Sequence, residues 1–389
     1  MIKQILNLVS FKTSRRKKAK SLSLPYKKQP KKLVFVVLFF TSFFVVQTVT
    51  WLLGATSLPV IAQTPTQVTT PQSVQNPEAL LEEVRNLYKQ QQFPEALNLL
   101  KQAVDAFQSQ GNSLKRAIAL DLQGQIYLAQ GQPERAAESF SAAATTYEQG
   151  NENTDSAIKS RLNQAEALRK AGFYRRSEDV LEQLDDNLTD QTDAKLRAIA
   201  LRSQGITQRL IGDLEKAREA IEGSLKIAET LVSPEREENI SAAYLMLGNI
   251  AKDQGNILRR QNENSETGTQ FQEAIAHYQK AAETATTPTV RIEAQLNQLS
   301  TFRDFGQPFT STDQELLRQV RETIDQLPLS QTAVYARINW ARMVMEQDNQ
   351  ANFSTEDIVQ QLAIAIEQAR KLKDPRSESY ALGQLGELR

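Results

Sequence analysis

The chain has no cysteine and a single histidine among its 389 residues. Disulfides, thiolate metal sites, a cysteine nucleophile and a lipid-modified cysteine anchor are therefore excluded. A Cys–His or Ser–His–Asp arrangement needs a base oriented by a third group. His277 is the one candidate base, and its place between Ala274 and Ala281 reads as structural or surface. Gly-rich phosphate loops, metal-ligand spacings and dinucleotide fingerprints are also missing. Counting residues does not exclude carboxylate catalysis. The acidic runs Asp185-Asp186 and Glu235, Glu237, Glu238, however, read as solvated charge at turns. These absences imply no enzyme, no cofactor and no metal.

Acid is missing from one region only. Residues 1–62 hold 11 of the 46 Lys/Arg and none of the 46 Asp/Glu, leaving 35 bases against 46 acids, a net of −11, in the rest. Phosphate contacts need clustered Lys/Arg, so an acidic body is not expected to bind nucleic acid. Val and Ile are sparse after the first 60 residues, and Ala, Leu, Gln, Glu, Lys and Arg dominate. That composition favours helices over sheets.

Uncharged apolar sequence runs from Leu33 to Leu53, behind the basic flank. Gly54 and Pro59 break it, and Val60-Ile61-Ala62 offers small residues for a signal peptidase. The run is also about the length that spans a bilayer, so a cleaved signal and a retained anchor both stay open. In either case the basic flank stays in the cytoplasm and the rest is exported, secreted or held at the inner membrane. Residues 63–76 contain two prolines and no apolar periodicity, which reads as a flexible linker.

From residue 77 to 389 a pattern returns about every 40 residues. Its clearest copy is Leu120, Gly124, Tyr127, Gly131, Ala136, Phe140 and Ala143. The skeleton recurs at Leu201, Gly205, Gly212, Ala217 and Ile221, and at Tyr244, Gly248, Gly255, Ala274, Tyr278 and Ala281. A fixed period in this range marks a solenoid, whose repeats pack only on their neighbours. The expected fold is all-α: about seven helix hairpins and a last, incomplete repeat from Arg376. Small residues let paired helices approach, so Gly124 is expected against Ala136 and Gly205 against Ala217. The fifth copy is interrupted from Asn256 to Thr269, and the Asn/Ser/Gly/Thr part of that stretch reads as an exposed loop. Leu382, Leu385 and Leu388 are expected to lie bare at the end, open to self-association.

The pattern resembles the tetratricopeptide repeat, with Pro133 where that family usually has an aromatic and a period of 40 to 43 instead of 34. The longer period, the exported start and Ser377-Glu378-Ser379-Tyr380-Ala381-Leu382-Gly383-Gln384-Leu385-Gly386 look like cyanobacterial repeat proteins that continue into a CHAT domain, a caspase-like peptidase. The resemblance implies a right-handed superhelix. It also implies a scaffold that holds a protein or peptide segment, or the repeat half of such a peptidase without its catalytic part.

In the family the first helix of each hairpin lines the concave groove. Positions three before, one after and four after the repeat glycine are implied to point inward. Here these are Asp121, Gln125 and Leu128; Leu162, Glu166 and Arg169; Arg202, Ile206 and Arg209; Leu245, Asn249 and Lys252. Gln125, Arg169, Arg202, Arg209, Asn249 and Lys252 are the expected partner contacts. Their chemistry favours an acidic or C-terminal segment, because Arg forms charge-assisted bonds to carboxylates.

Overall fold

The computed structural model describes residues 76–150, 154–185, 188, 192–262, 264–306, 309–346 and 353–388. The basic flank, the apolar run, the expected cut after Ala62 and nearly all of the linker lie outside them. Among the described residues no helix is long and apolar enough to cross a membrane.

Fifteen helices follow one another, with no strand among the described residues. They are α1 (Pro77–Lys89), α2 (Phe93–Ser109), α3 (Ser113–Ala129), α4 (Pro133–Gln149), α5 (Thr154–Lys170), α6 (Tyr174–Asp185), α7 (Ala194–Ile211) and α8 (Leu214–Ala228). Then come α9 (Glu235–Gln261), α10 (Asn264–Thr284), α11 (Pro288–Asp304), α12 (Ser311–Ile324), α13 (Gln331–Met345), α14 (Thr355–Lys371) and α15 (Pro375–Glu387). Each packs on the next, giving seven hairpins and one further helix.

Local chemistry sets the helix ends. Asn112, Asp193 and Asp213 accept from the backbone N–H three residues on, and capping boxes at Thr310–Asp313 and Ser354–Asp357 start α12 and α14. The turns inside the hairpins need a left-handed residue. Gly131, Gly172 and Gly212 supply it with φ of 70°, 81° and 100°. The next N–H then bonds back across the turn, as from Gln132 to Tyr127 O at 2.8 Å.

Small residues set the helix separation; Gly205 meets Ala217 as expected, but Gly124 does not meet Ala136. Gly124 lies under the Phe140 ring, one turn beyond Ala136. Gly205 lies under Ile221 and the Ala217 carbonyl, and Gly248 under Tyr278. Bulk on the second helix fills the gap that glycine leaves on the first. Ala136 is fully buried in the neighbouring cluster with Ala167 and Leu168.

Two expectations are corrected. The Asn/Ser/Gly/Thr part of the interruption is not an extended loop: α9 continues to Gln261 and α10 begins at Asn264. Gly255 packs beneath Phe271, and Asn262 at φ 62° turns the chain. The inserted residues thus lengthen both helices of the fifth hairpin. At the end of the solenoid only Leu382 lies bare, 44% exposed. Leu385 and Leu388 instead pack against the core of α13 and α14, because they share the inward face of α15 with Ala381.

Candidate partner-binding face

Which helices touch identifies the inner wall. α5 packs on α7, α7 on α9, α9 on α11, α11 on α13 and α13 on α15. No even-numbered helix packs to that extent on the next even one. A stack that is closer on one side curves toward that side, so from α5 to α15 the odd helices lie on the inner side.

Along this wall, polar side chains tie each odd helix to the next. Lys115 of α3 bonds Glu78 of α1. Asp121 of α3 accepts from Ser160 Oγ of α5 at 2.7 Å. Burial raises the Asp121 carboxyl against that hydrogen bond. Gln125, one turn on, is exposed. Leu162 and Leu245 are buried in the core, Leu128 and Ile206 are half-buried, and Glu166 pairs with Lys170 of its own helix at 3.1 Å.

Arg169 reaches from α5 to α7. Its Nη1 donates to Thr207 Oγ1 at 3.2 Å, and its Nη2 to Ser203 Oγ at 3.3 Å. Arg202 reaches from α7 to Asn239 Oδ1 of α9 at 2.8 Å. Both are half-buried, and among the described residues both have only neutral hydrogen-bond partners. Burial lowers both guanidinium pKa values and outweighs the opposing charges of Glu166 and Glu238. A desolvated cation without a carboxylate partner is an incompletely satisfied charge.

Arg209 and Lys252 stand differently. Arg209 Nε donates to Asp253 Oδ2 of α9 at 2.7 Å. Lys252 Nζ lies 2.6 Å from Ser300 Oγ and 3.0 Å from Asp304 Oδ2, both on α11. Burial lowers the Lys252 pKa, partly offset by Asp304. Asn249 accepts from the Tyr278 hydroxyl at 2.8 Å and from Asn297 at 3.4 Å. These three already hold partners from the protein itself. The series continues with Arg303 to Glu346 at 2.7 Å and Arg342 to the Tyr380 hydroxyl at 3.3 Å. From α5 to α13, each odd helix thus sends a cation to the next one.

Sequence reasoning missed the acceptors Asp253, Asp304 and Asn239. The available signal was a polar residue at a matching turn of the following repeat, about 40 residues on. It also missed Glu293 of α11, whose carboxyl is half-buried and raised by burial alone. Along the wall the half-buried carboxyls Asp121 and Glu293 thus lie on α3 and α11, with Arg169 and Arg202 on the helices between them. His277 stacks on Tyr244 at 5.8 Å and lies 3.5 Å from Glu273, where burial lowers its pKa. Among the described residues no group of His, Asp and Glu is placed to hold a metal ion.

Residues 79–149 match the tetratricopeptide repeat family. No curated protein matches the chain. Several solved structures are similar. One is a Rap protein complexed with competence and sporulation factor, at 14% identity and TM-score 0.44, covering 76% of this chain and 75% of that one. Another is the apo quorum sensor NprR from B. thuringiensis, at 9% and 0.46, covering 80% and 87%. A third is a tetratricopeptide repeat protein from Parabacteroides merdae ATCC 43184, at 12% and 0.45, covering 79% and 98%. At these identities and scores the likenesses carry no argument about partners. The family match concerns the repeat alone, not a CHAT association.

Proposed function

We propose that the helices from α1 to α15 form one tetratricopeptide-type, right-handed solenoid. In this reading it is a non-enzymatic scaffold whose inner wall holds an extended acidic polypeptide segment. The observation that carries the proposal is the pair Arg169 and Arg202: inward, desolvated and, among the described residues, bonded only to neutral groups. A guanidinium has five N–H donors, so both retain donors for a carboxylate. Arg209 and Lys252 act instead as braces between helices, neutralised by Asp253 and Asp304.

The test uses a fluorescein-labelled octapeptide of alternating Glu and Ala with a free C-terminus, followed by fluorescence anisotropy. The chain is expected to bind it more weakly as salt rises. Arg169→Glu combined with Arg202→Glu should weaken binding about tenfold or more, roughly 1.4 kcal/mol. An unchanged affinity discards the groove assignment.

The basic flank and the apolar run at 33–53 support a place outside the cytoplasm, whether the segment is cleaved or retained. Alkaline phosphatase fused after Asn76 is expected to be active in a bacterial host; an inactive fusion contradicts export.

A further inference from the structure

Among the described residues the fifth hairpin is the longest, with 27 residues in α9 and 21 in α10, against 12 to 18 in the other helices. Its added turns have a small core of their own. Phe271 covers Gly255, and its ring lies 5.8 Å from that of Phe305, which rests on Gly268. The tip is therefore held in place by packing.

Beside it lies a cleft of about 540 Å³, lined by residues of α7, α8, α9 and α11. Its charges do not balance. Asp253 is matched by Arg209 at 2.7 Å, and Asp304 by Lys252 at 3.0 Å and Arg303 at 2.9 Å. Arg259 and Arg260 also line the cleft, and neither has a carboxylate partner among the described residues. Arg259 is held by neutral groups: it donates to the Asp304 carbonyl at 2.6 Å and to Asn256 Oδ1 at 3.0 Å, over the Phe271 ring. Helix C-termini draw cations to such a rim, each being worth about half a charge. Arg259 answers the end of α11 in this way. Arg260 is exposed, with no hydrogen-bond or ion-pair partner among the described residues. Arg259 is thus offset only in part, and Arg260 is not offset at all by a carboxylate among the described residues.

We propose that this cleft binds a phosphate monoester. Its dianion, close to two charges near neutral pH, is held by Arg259 and Arg260. Its organic part lies against Leu214 and Ile257, the latter 37% exposed. The volume suits an ester better than a bare ion, since clefts of about 300–1,000 Å³ hold small organic ligands. The site is separate from the groove at Arg169 and Arg202 and stands or falls independently of it.

The experiment is titration calorimetry of the full chain in mild detergent. The probes are inorganic phosphate, glucose 6-phosphate and a phosphoserine pentapeptide. At least one ester is expected to bind more tightly than inorganic phosphate, and the tighter ester distinguishes a small metabolite from a protein-borne group. Arg259→Ala with Arg260→Ala should weaken that binding at least tenfold, while the lysine pair retains part of it. Equal binding of all three probes at millimolar concentration overturns the proposal. So does a double alanine variant that loses thermal stability but keeps its affinity, because the arginines then serve only the helix ends.

Discussion

Arg337→Ala is expected to destabilise the last hairpins by about 3 kcal/mol, since breaking a buried hydrogen-bonded charge leaves its partners unsatisfied. Arg337 stands on α13 and is only 3% exposed. It donates to Asp325 Oδ1 at 2.7 Å, to the Ile324 carbonyl at 3.1 Å, and to Gln361 of α14. One side chain therefore joins α12, α13 and α14. Gln361 is fully buried and would lose a donor in the variant. Asp325 is half-exposed and would rehydrate, which keeps the figure at the lower end of the range for buried pairs. Arg337→Lys retains the charge but not the fork, so its loss should be intermediate. Because a solenoid's repeats contact only their neighbours, melting should begin at this end. Trp340, fully buried on the same helix, reports it as an earlier red shift of emission in urea. Coincident, unshifted urea transitions for wild type and variant would contradict the assignment.

The same group sets an acid dependence. Burial alone would raise the Asp325 carboxyl, but hydrogen bonds from Arg337, Arg321 and Gln361 more than offset it, so its pKa lies below the ordinary value. A carboxylate depressed by folding contributes stability above its unfolded pKa of about 4 and loses it as pH falls through the folded value. Removing Arg337 should therefore also flatten the loss of stability below about pH 4.

Gly205→Ala is expected to cost about 1–3 kcal/mol, the usual price of overpacking. The sign is unusual, because alanine in an exposed helix is favoured over glycine by about 1 kcal/mol. An added Cβ would lie 2.6 Å from Ile221 Cδ1 and 2.9 Å from the Ala217 carbonyl oxygen. The isoleucine can rotate, but the carbonyl belongs to the backbone of α8, so the helices must part. Gly383→Ala on α15 meets nothing within 4 Å and is expected to raise the melting temperature. A pair of melting curves that shift in the same direction would refute the close-approach account of these glycines.

The hairpins were legible in the sequence because the period, the apolar stripes and the left-handed glycines at 131, 172 and 212 all express one local rule. The segment from Asn256 to Thr269 misled because its Asn, Ser, Gly and Thr residues favour turns by composition. Gly255 and Phe271 meet only in the folded hairpin, and that contact sustains the helices there. The register puts Arg169, Arg202, Arg209 and Lys252 on odd helices, but their partners were not legible. Arg209 and Asp253 are 44 residues apart, and Lys252 and Asp304 are 52 apart, so pairing depends on how one repeat sits against the next. Arg337 gave less warning, since it looks like a polar interruption between Ala336 and Ile338.

Hydrogen–deuterium exchange of the whole chain with and without the Glu-Ala octapeptide tests the central idea most directly. Slowed exchange confined to α5, α7 and α9 is predicted, and it should vanish in the Arg169→Glu, Arg202→Glu variant. Protection on α4, α6 or α8 instead, or none under conditions where the peptide is bound, would contradict an inner wall that grips a polypeptide.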